Sequence, residues 1–200
     1  MLSAKPAALW KPQFDIMKQI IETTDIPQME FAWNVAAGEN GTTNLIFDRI
    51  VLLKPFSRGF VHINSTEPLA PPVIDPKYLS APHDKFVLAK AIEYTRTLVN
   101  KEPLKSHIDG SILPDSTVQT EEDFVDFVNT QSRSEHHFVG TAAMTPRSQG
   151  GVVDPSLIVY GTSNVRVADL SIIANIPGIH TVSVAYMVAE RAAEIIKADW

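Results

Sequence analysis

The sequence of 200 residues contains no cysteine. This absence excludes a disulfide framework, a thiolate nucleophile and every cysteine-based zinc or iron–sulfur site. Any metal would therefore need histidines and carboxylates alone. Three of the six histidines, His62, His83 and His107, have no acidic or histidine neighbour at ligand spacing. We read these three as surface or packing residues and predict no metal site.

Positive charge and long apolar runs are also scarce. The 17 Lys and Arg residues are outnumbered by 23 Asp and Glu residues, which gives a net charge of -6. Such a chain has no basic surface for nucleic acid or for an anionic membrane. No segment approaches the roughly 18 to 20 apolar residues of a membrane-spanning helix, and residues 1–6 lack the apolar core of a secretion signal. We therefore expect a soluble chain, with neither nucleic acid nor membrane as a partner.

The hydrophobic pattern predicts an α+β fold, a mixed or antiparallel sheet with packed helices. Residues 1–44 are interpreted as a loosely specified, exposed N-terminal arm with one amphipathic stretch from Gln13 to Thr24. Residues 45–197 form the main region. The apolar run 45–53 predicts a buried strand, and residues 60–63 predict a second strand that neighbours it through a glycine-containing turn.

Three helices and two further strands are predicted in the main region. Asp84 is the expected cap of a helix that runs to Asn100, and Thr120 is the expected cap of the next, which begins with three acidic residues. The last helix is predicted from Thr181 to Lys197. Strand-like residues 157–160 and 165–167 lie between these helices, and prolines between 67 and 82 exclude a helix there.

Six segments follow one another in the order found in a known group of enzymes. They are Ser57-Arg58-Gly59-Phe60-Val61, Pro71 to Ser80, His137-Phe138-Val139-Gly140-Thr141-Ala142-Ala143-Met144, Gly151-Val152-Val153-Asp154, Val165 to Ser171, and Ala189-Glu190-Arg191-Ala192-Ala193. Together they resemble the C-terminal part of the glucose-methanol-choline (GMC) flavin oxidoreductases. The resemblance runs from about residue 53 to residue 196, and it implies a substrate-binding domain with C-terminal elements that complete an FAD-binding domain.

The resemblance also implies a reaction, the oxidation of a small-molecule alcohol by hydride transfer to flavin. In such enzymes one histidine removes the hydroxyl proton and a second His or Asn holds the same oxygen, and the matching positions here are His137 and His180. Imidazole suits both roles because it titrates near neutral pH and its neutral form can still donate a hydrogen bond. The alternative is a pair of core histidines satisfied by the backbone. His136 is read as a packing residue.

The cofactor that the resemblance implies is FAD. Asp169 matches a position whose backbone passes the ribityl and diphosphate part of the flavin. Thr181 and Val182 directly follow His180 and begin the last helix, where free amides and the helix dipole favour the negative charge of reduced flavin. These three residues are the candidate cofactor-binding positions.

Two departures from the family pattern bear on function. Ala174 stands where the family usually has proline, three residues after Ser171. The chain also has no Gly-x-Gly-x-x-Gly, so the main grip on FAD would come from an N-terminal half outside this sequence. Two other functions stay open, a non-redox cyclase reaction that uses the same histidines and a catalytically silent binding module. The sequence identifies neither the alcohol nor the electron acceptor.

Overall fold

A computed structural model describes residues 7–37, 44–110 and 113–199. The predicted arm is therefore described only in part, since residues 1–6 and 38–43 lie outside these ranges. The described elements confirm the α+β class. The helices are α1 (Ala7–Thr23), α2 (Pro82–Val99), α3 (Glu121–Gln131) and α4 (Val182–Ala198), and the strands are β1 (Met29–Ala37), β2 (Asn44–Leu52), β3 (Phe60–His62) and β4 (Val73–Asp75).

The chain divides into two compact units, each assembled from separated segments. The first unit comprises the described parts of 1–26, 58–78 and 136–200, and the second comprises those of 27–57 and 79–135. The first unit therefore holds α1, β3, β4 and α4, whereas the second holds β1, β2, α2 and α3. All candidate site residues fall in the first unit.

The strand pairing differs from the prediction. Strand β2 pairs antiparallel with β1 over the register Met29↔Leu52 to Ala37↔Asn44, and β3 pairs antiparallel with β4. The expected pairing of β2 with β3 is wrong. Strand β1 went unpredicted because its sequence mixes Glu30, Asn34 and several alanines with the apolar residues, which weakens the alternation that marks a strand.

In the second unit, α2 and α3 pack through a small apolar core made of Ala89, Phe124 and Val128. Thr120 caps α3 as predicted, and its hydroxyl accepts a hydrogen bond from the Asp123 amide in a reciprocal capping box. Asp84 is not the cap of α2. The helix begins with Pro82, which needs no amide partner at that position, and the buried Asp84 carboxylate instead accepts hydrogen bonds from distant backbone amides.

The first unit is organised around α4. The buried stripe Val184, Val188 and Ala192 packs against Val153 and Ile172 from the preceding loops. The strand-like segments predicted at 157–160 and 165–167 form isolated antiparallel bridges, one of which joins residues 158 and 166. Helix α1 begins before the predicted amphipathic stretch, and its Gln13 and Met17 are buried, so this part of the chain is not an exposed arm along its whole length.

Candidate active site

The structure brings together the two histidines that the sequence singles out. The ring centroids of His137 and His180 lie 4.9 Å apart, and the ring planes meet at 83°. His137 is half-buried and His180 is exposed. The residues stand 43 positions apart in the sequence, so their proximity is a property of the tertiary fold. Two imidazoles at this distance can both reach one small polar group placed between them and the solvent.

Backbone hydrogen bonds hold the segment that carries His137. The Ala142 amide donates to the Ser171 carbonyl oxygen at 2.9 Å, and the Met144 amide donates to the Ile172 carbonyl oxygen at 2.8 Å. Gly140 makes this approach possible, since its φ of +87° is unfavourable for other residues and an added Cβ would lie 3.2 Å from the Ile173 carbonyl oxygen. The loop after His137 is thus fixed to the segment that leads to His180.

Helix α4 begins immediately after His180. Thr181, its N-terminal flanking residue, is buried, and Val182 is the first helical residue. The first backbone amides of an α-helix have no acceptor within the helix and, with the dipole, favour negative charge. Thr181 and Val182 therefore lie at the start of α4, directly after His180.

A groove with a volume of about 560 Å³ opens beside these elements. Its lining is mostly apolar and includes Phe138, which follows His137, and Ala185, which lies one turn into α4. Asp169 also lines it. The carboxylate of Asp169 is exposed and accepts a hydrogen bond from the Ser171 amide at 2.7 Å. The family resemblance predicted Asp169 as a site residue. It did not predict that the apolar residues would line a groove, although several of them belong to the motifs.

His136 differs from its neighbour in both backbone and environment. It adopts a φ of +59°, and its exposed ring meets the edge of Phe138 at 6.1 Å between centroids. The ring contact with Phe138 agrees with the packing role predicted for His136.

Neither a metal centre nor a membrane span is found in the described ranges. Residues 7–37, 44–110 and 113–199 contain no group of three or more His, Asp or Glu residues placed to hold a metal ion. No helix within them is long and apolar enough to cross a membrane.

Comparison with known proteins identifies the family of the chain. The sequence profile of the GMC oxidoreductase family matches residues 55–189, which include every candidate site residue. The chain belongs to the GMC oxidoreductase family. It is 36% identical over 183 residues to the GMC oxidoreductase family protein Mala s 12 of Malassezia sympodialis. It is also 40% identical over 153 residues to the glucose oxidase-like protein fsoC of Humicola fuscoatra.

Solved structures of two flavin-dependent or alcohol-oxidising enzymes share the fold of this chain. A fungal aryl-alcohol oxidase superposes with a TM-score of 0.83 at 32% identity and covers 96% of the chain. An FAD-dependent oxidoreductase from Chaetomium thermophilum superposes with the same TM-score at 28% identity and covers 98%. The chain corresponds to only 31% and 32% of these two structures, and to 29% of Mala s 12. It thus spans about a third of the length of the proteins it resembles.

Proposed function

We propose that this chain is the C-terminal, substrate- and flavin-facing portion of an FAD-dependent enzyme that oxidises an alcohol, with His137 as the base. The observation that carries the proposal is the 4.9 Å contact between the His137 and His180 rings at the start of α4. The similarity to an aryl-alcohol oxidase and to an FAD-dependent oxidoreductase supports the reaction class.

The two imidazoles have different roles at the alcohol oxygen. Neutral His137 accepts the hydroxyl proton, and the N–H of His180 donates a hydrogen bond that stabilises the alkoxide as its charge develops. The half-burial of His137 limits competition from water, whereas the exposure of His180 leaves room for the substrate to approach. Both contacts strengthen on the way to the transition state, so they are expected to act on rate more than on binding.

The residues around the groove fit one side of a flavin. The groove offers apolar walls from Phe138, Leu170 and Ala185 to a planar ring, and the amides that begin α4 at Val182 favour negative charge beside it. Asp169, which also lines the groove, would lie beside the more polar part of the cofactor. When bound, FAD would supply the acceptor for the hydride that leaves the substrate carbon.

We propose that the remaining contacts to FAD come from an N-terminal FAD-binding half of the protein, which would pack against this chain. Exposed apolar side chains on α4 support this interpretation, since Val182, Tyr186 and Met187 are each more than half exposed. Such a surface is expected to be covered in the complete enzyme. The chain by itself should therefore self-associate, and sedimentation as a well-behaved monomer would count against this part of the proposal.

A chimera tests the base directly. The chain would replace the corresponding third of the aryl-alcohol oxidase, which keeps that enzyme's remaining residues for FAD. His137→Ala should slow flavin reduction by about 10²- to 10⁴-fold, because general-base assistance is worth that much, with a smaller effect on substrate binding. His180→Ala should cause a comparable loss. Anaerobic stopped-flow measurement of flavin absorbance gives the reduction rate at each substrate concentration.

His136→Ala is the matched control, because it removes the adjacent imidazole and leaves the ring pair intact. It should reduce flavin at close to the parent rate. A normal rate in the His137 variant would refute the proposed base. A larger loss at position 136 than at 137 would mean that the motif is aligned one residue out of register.

The cofactor part of the proposal has its own test. The chain expressed alone should purify without a stoichiometric flavin absorbance band and should take up little added FAD, since its groove would cover one side of the ring. The chimera should purify yellow. A chain that alone holds one equivalent of FAD would show that no further portion is needed for binding.

A further inference from the structure

The loop that presents His180 runs from Ile173 to Ile179 and lacks regular secondary structure. Its beginning is fixed, because the short 3-10 turn before it is hydrogen-bonded to the His137 segment. Its end is fixed by the start of α4. Ala174 gives the middle none of the restraint that a proline at this position imposes on φ. Something else must hold the middle of the loop if His180 is to stay beside His137.

Asn175 makes two long-range contacts at this point. Its side-chain oxygen accepts a hydrogen bond from Nη2 of Arg58 at 3.3 Å, and its side-chain nitrogen donates to the Gln13 carbonyl oxygen in α1 at 3.4 Å. These partners lie 117 and 162 residues away in sequence, and all three belong to the first unit. One amide group thus links the loop to α1 and to the segment before β3.

The chemistry of the partners determines how the amide is oriented. A guanidinium has only donors and a carbonyl oxygen has only lone pairs, so the Asn175 oxygen must face Arg58 and its nitrogen must face Gln13. Asn175 and Arg58 are partly buried, and Gln13 is 4% exposed. Exchange of these hydrogen bonds for water is therefore restricted, and the pair of contacts restrains the amide more than an exposed pair would.

We propose that Asn175 is a positioning residue that holds the loop so that the His180 ring stays beside His137. The role in catalysis rests on the proposed function, whereas the geometric role belongs to this chain alone. A displacement of about 1 Å at a catalytic group can cost about 100-fold in rate, so loss of this anchor should lower the rate through the position of the His180 ring.

The geometric role is tested in the chain itself by NMR of labelled histidine rings. In the parent chain, cross-relaxation between the His137 and His180 rings should be detectable at their separation of 4.9 Å between centroids. Asn175→Ala should abolish it, and the His180 resonances should move toward those of a freely exposed histidine. The methyl resonances of the α4 core should stay unchanged, which shows that the unit remains folded.

Two further variants keep the inference falsifiable if Asn175→Ala fails to fold. Asn175→Asp keeps an acceptor for Arg58 and loses the donor to Gln13, so ring contact should be weakened but retained; Arg58→Lys keeps the charge and should behave in the same way. Asn100→Ala is the matched control, since that amide donates to the Arg96 carbonyl oxygen in the second unit. Unchanged ring contact in Asn175→Ala, or in both conservative variants if it does not fold, would overturn the proposal.

Rates in the chimera separate this inference from the proposed function. Asn175→Ala should lower the flavin reduction rate by about 10- to 100-fold with little change in substrate binding. If it abolishes ring contact while His137→Ala leaves the rate normal, the positioning role stands and the proposed base falls. If His137→Ala is slow and Asn175→Ala has the parent rate with intact ring contact, the positioning role falls alone.

Discussion

The two units of this chain hold their functional and structural residues in different ways. In the second unit, regular secondary structure holds most residues in place. Two helices pack together and two strands form a sheet. In the first unit, His137, Asp169 and His180 stand on irregular backbone that precedes α4. Their positions depend on single backbone hydrogen bonds, such as Ala142 to Ser171, and on a few glycines.

The contrast teaches where each unit is sensitive to substitution. A helix distributes its hydrogen bonds over many residues, so one exposed change within it is usually tolerated. An irregular loop that must bring a side chain to one place depends on close backbone approach at a few positions, where only glycine fits. Functional groups are commonly carried on such loops above a rigid support, and here α4 packs through its buried stripe against the segments that precede it.

The largest effect is expected for a substitution at one of these close backbone contacts in the first unit. A Cβ on Gly151 would lie 1.7 Å from the Thr145 carbonyl oxygen, so Gly151→Ala must displace backbone. We expect a loss of more than about 3 kcal/mol in the stability of the first unit. Urea unfolding followed by NMR signals from each unit measures it, and the second unit should keep its signals.

Two glycines serve as controls for that substitution. Gly161 has a φ of +88° and no atom within 4 Å of an added Cβ. Gly161→Ala should therefore lower the stability only by the strain of a left-handed backbone conformation, about 1 kcal/mol. Gly110→Ala in the second unit meets nothing and should be close to neutral. Equal losses at 151 and 161 would show that close approach is not what matters in the first unit.

The difference between the units also explains what sequence can predict. Helices α3 and α4 follow from local signals, namely the cap at Thr120 and the apolar stripe of α4, whereas the histidine pair was predicted from the resemblance to the GMC family. Strand pairing does not, because three-residue strands such as β3 carry little periodicity and find their partners across long loops. The Asn175 contacts are equally invisible, since their partners are more than a hundred residues away.

Asp84 provides the next test, because it is a point in the second unit where a long-range contact replaces a local one. Its carboxylate is 1% exposed and accepts hydrogen bonds from the amides of Phe56 and Ser57, both at 2.8 Å. Asp84→Ala removes both acceptors and should destabilise the second unit by about 3 kcal/mol in chemical unfolding. Asp84→Asn keeps one acceptor oxygen and should destabilise the unit by about half as much as Asp84→Ala. If Asp84→Ala were as stable as the parent, the packing of the helices alone would account for the stability of this unit.

Removal of a purely local contact should have a smaller effect. Thr120→Ala deletes the cap of α3 and should cost about 1 kcal/mol in thermal unfolding, and Thr120→Ser should restore it. Hydrogen bonds from the amides of Thr120 and Gln119 lower the pKa of Asp123. A lowered folded pKa means that this contribution is present above the unfolded value of about 3.9 and is lost as the pH falls further. An alanine variant as stable as the parent at pH 7 would contradict the assignment.

The smallest expected effect has the opposite dependence on pH within the same unit. Asp48 on β2 accepts a hydrogen bond from the Thr95 hydroxyl at 2.8 Å, and burial raises its pKa despite that bond. A raised folded pKa means that the contribution of Asp48 is fully present below about pH 3.9 and declines as the pH rises through the folded value. Asp48→Asn should therefore gain stability relative to the parent between pH 4 and pH 7 in urea titrations. A relative stability of Asp48→Asn that falls with pH would mean that the Thr95 bond outweighs burial.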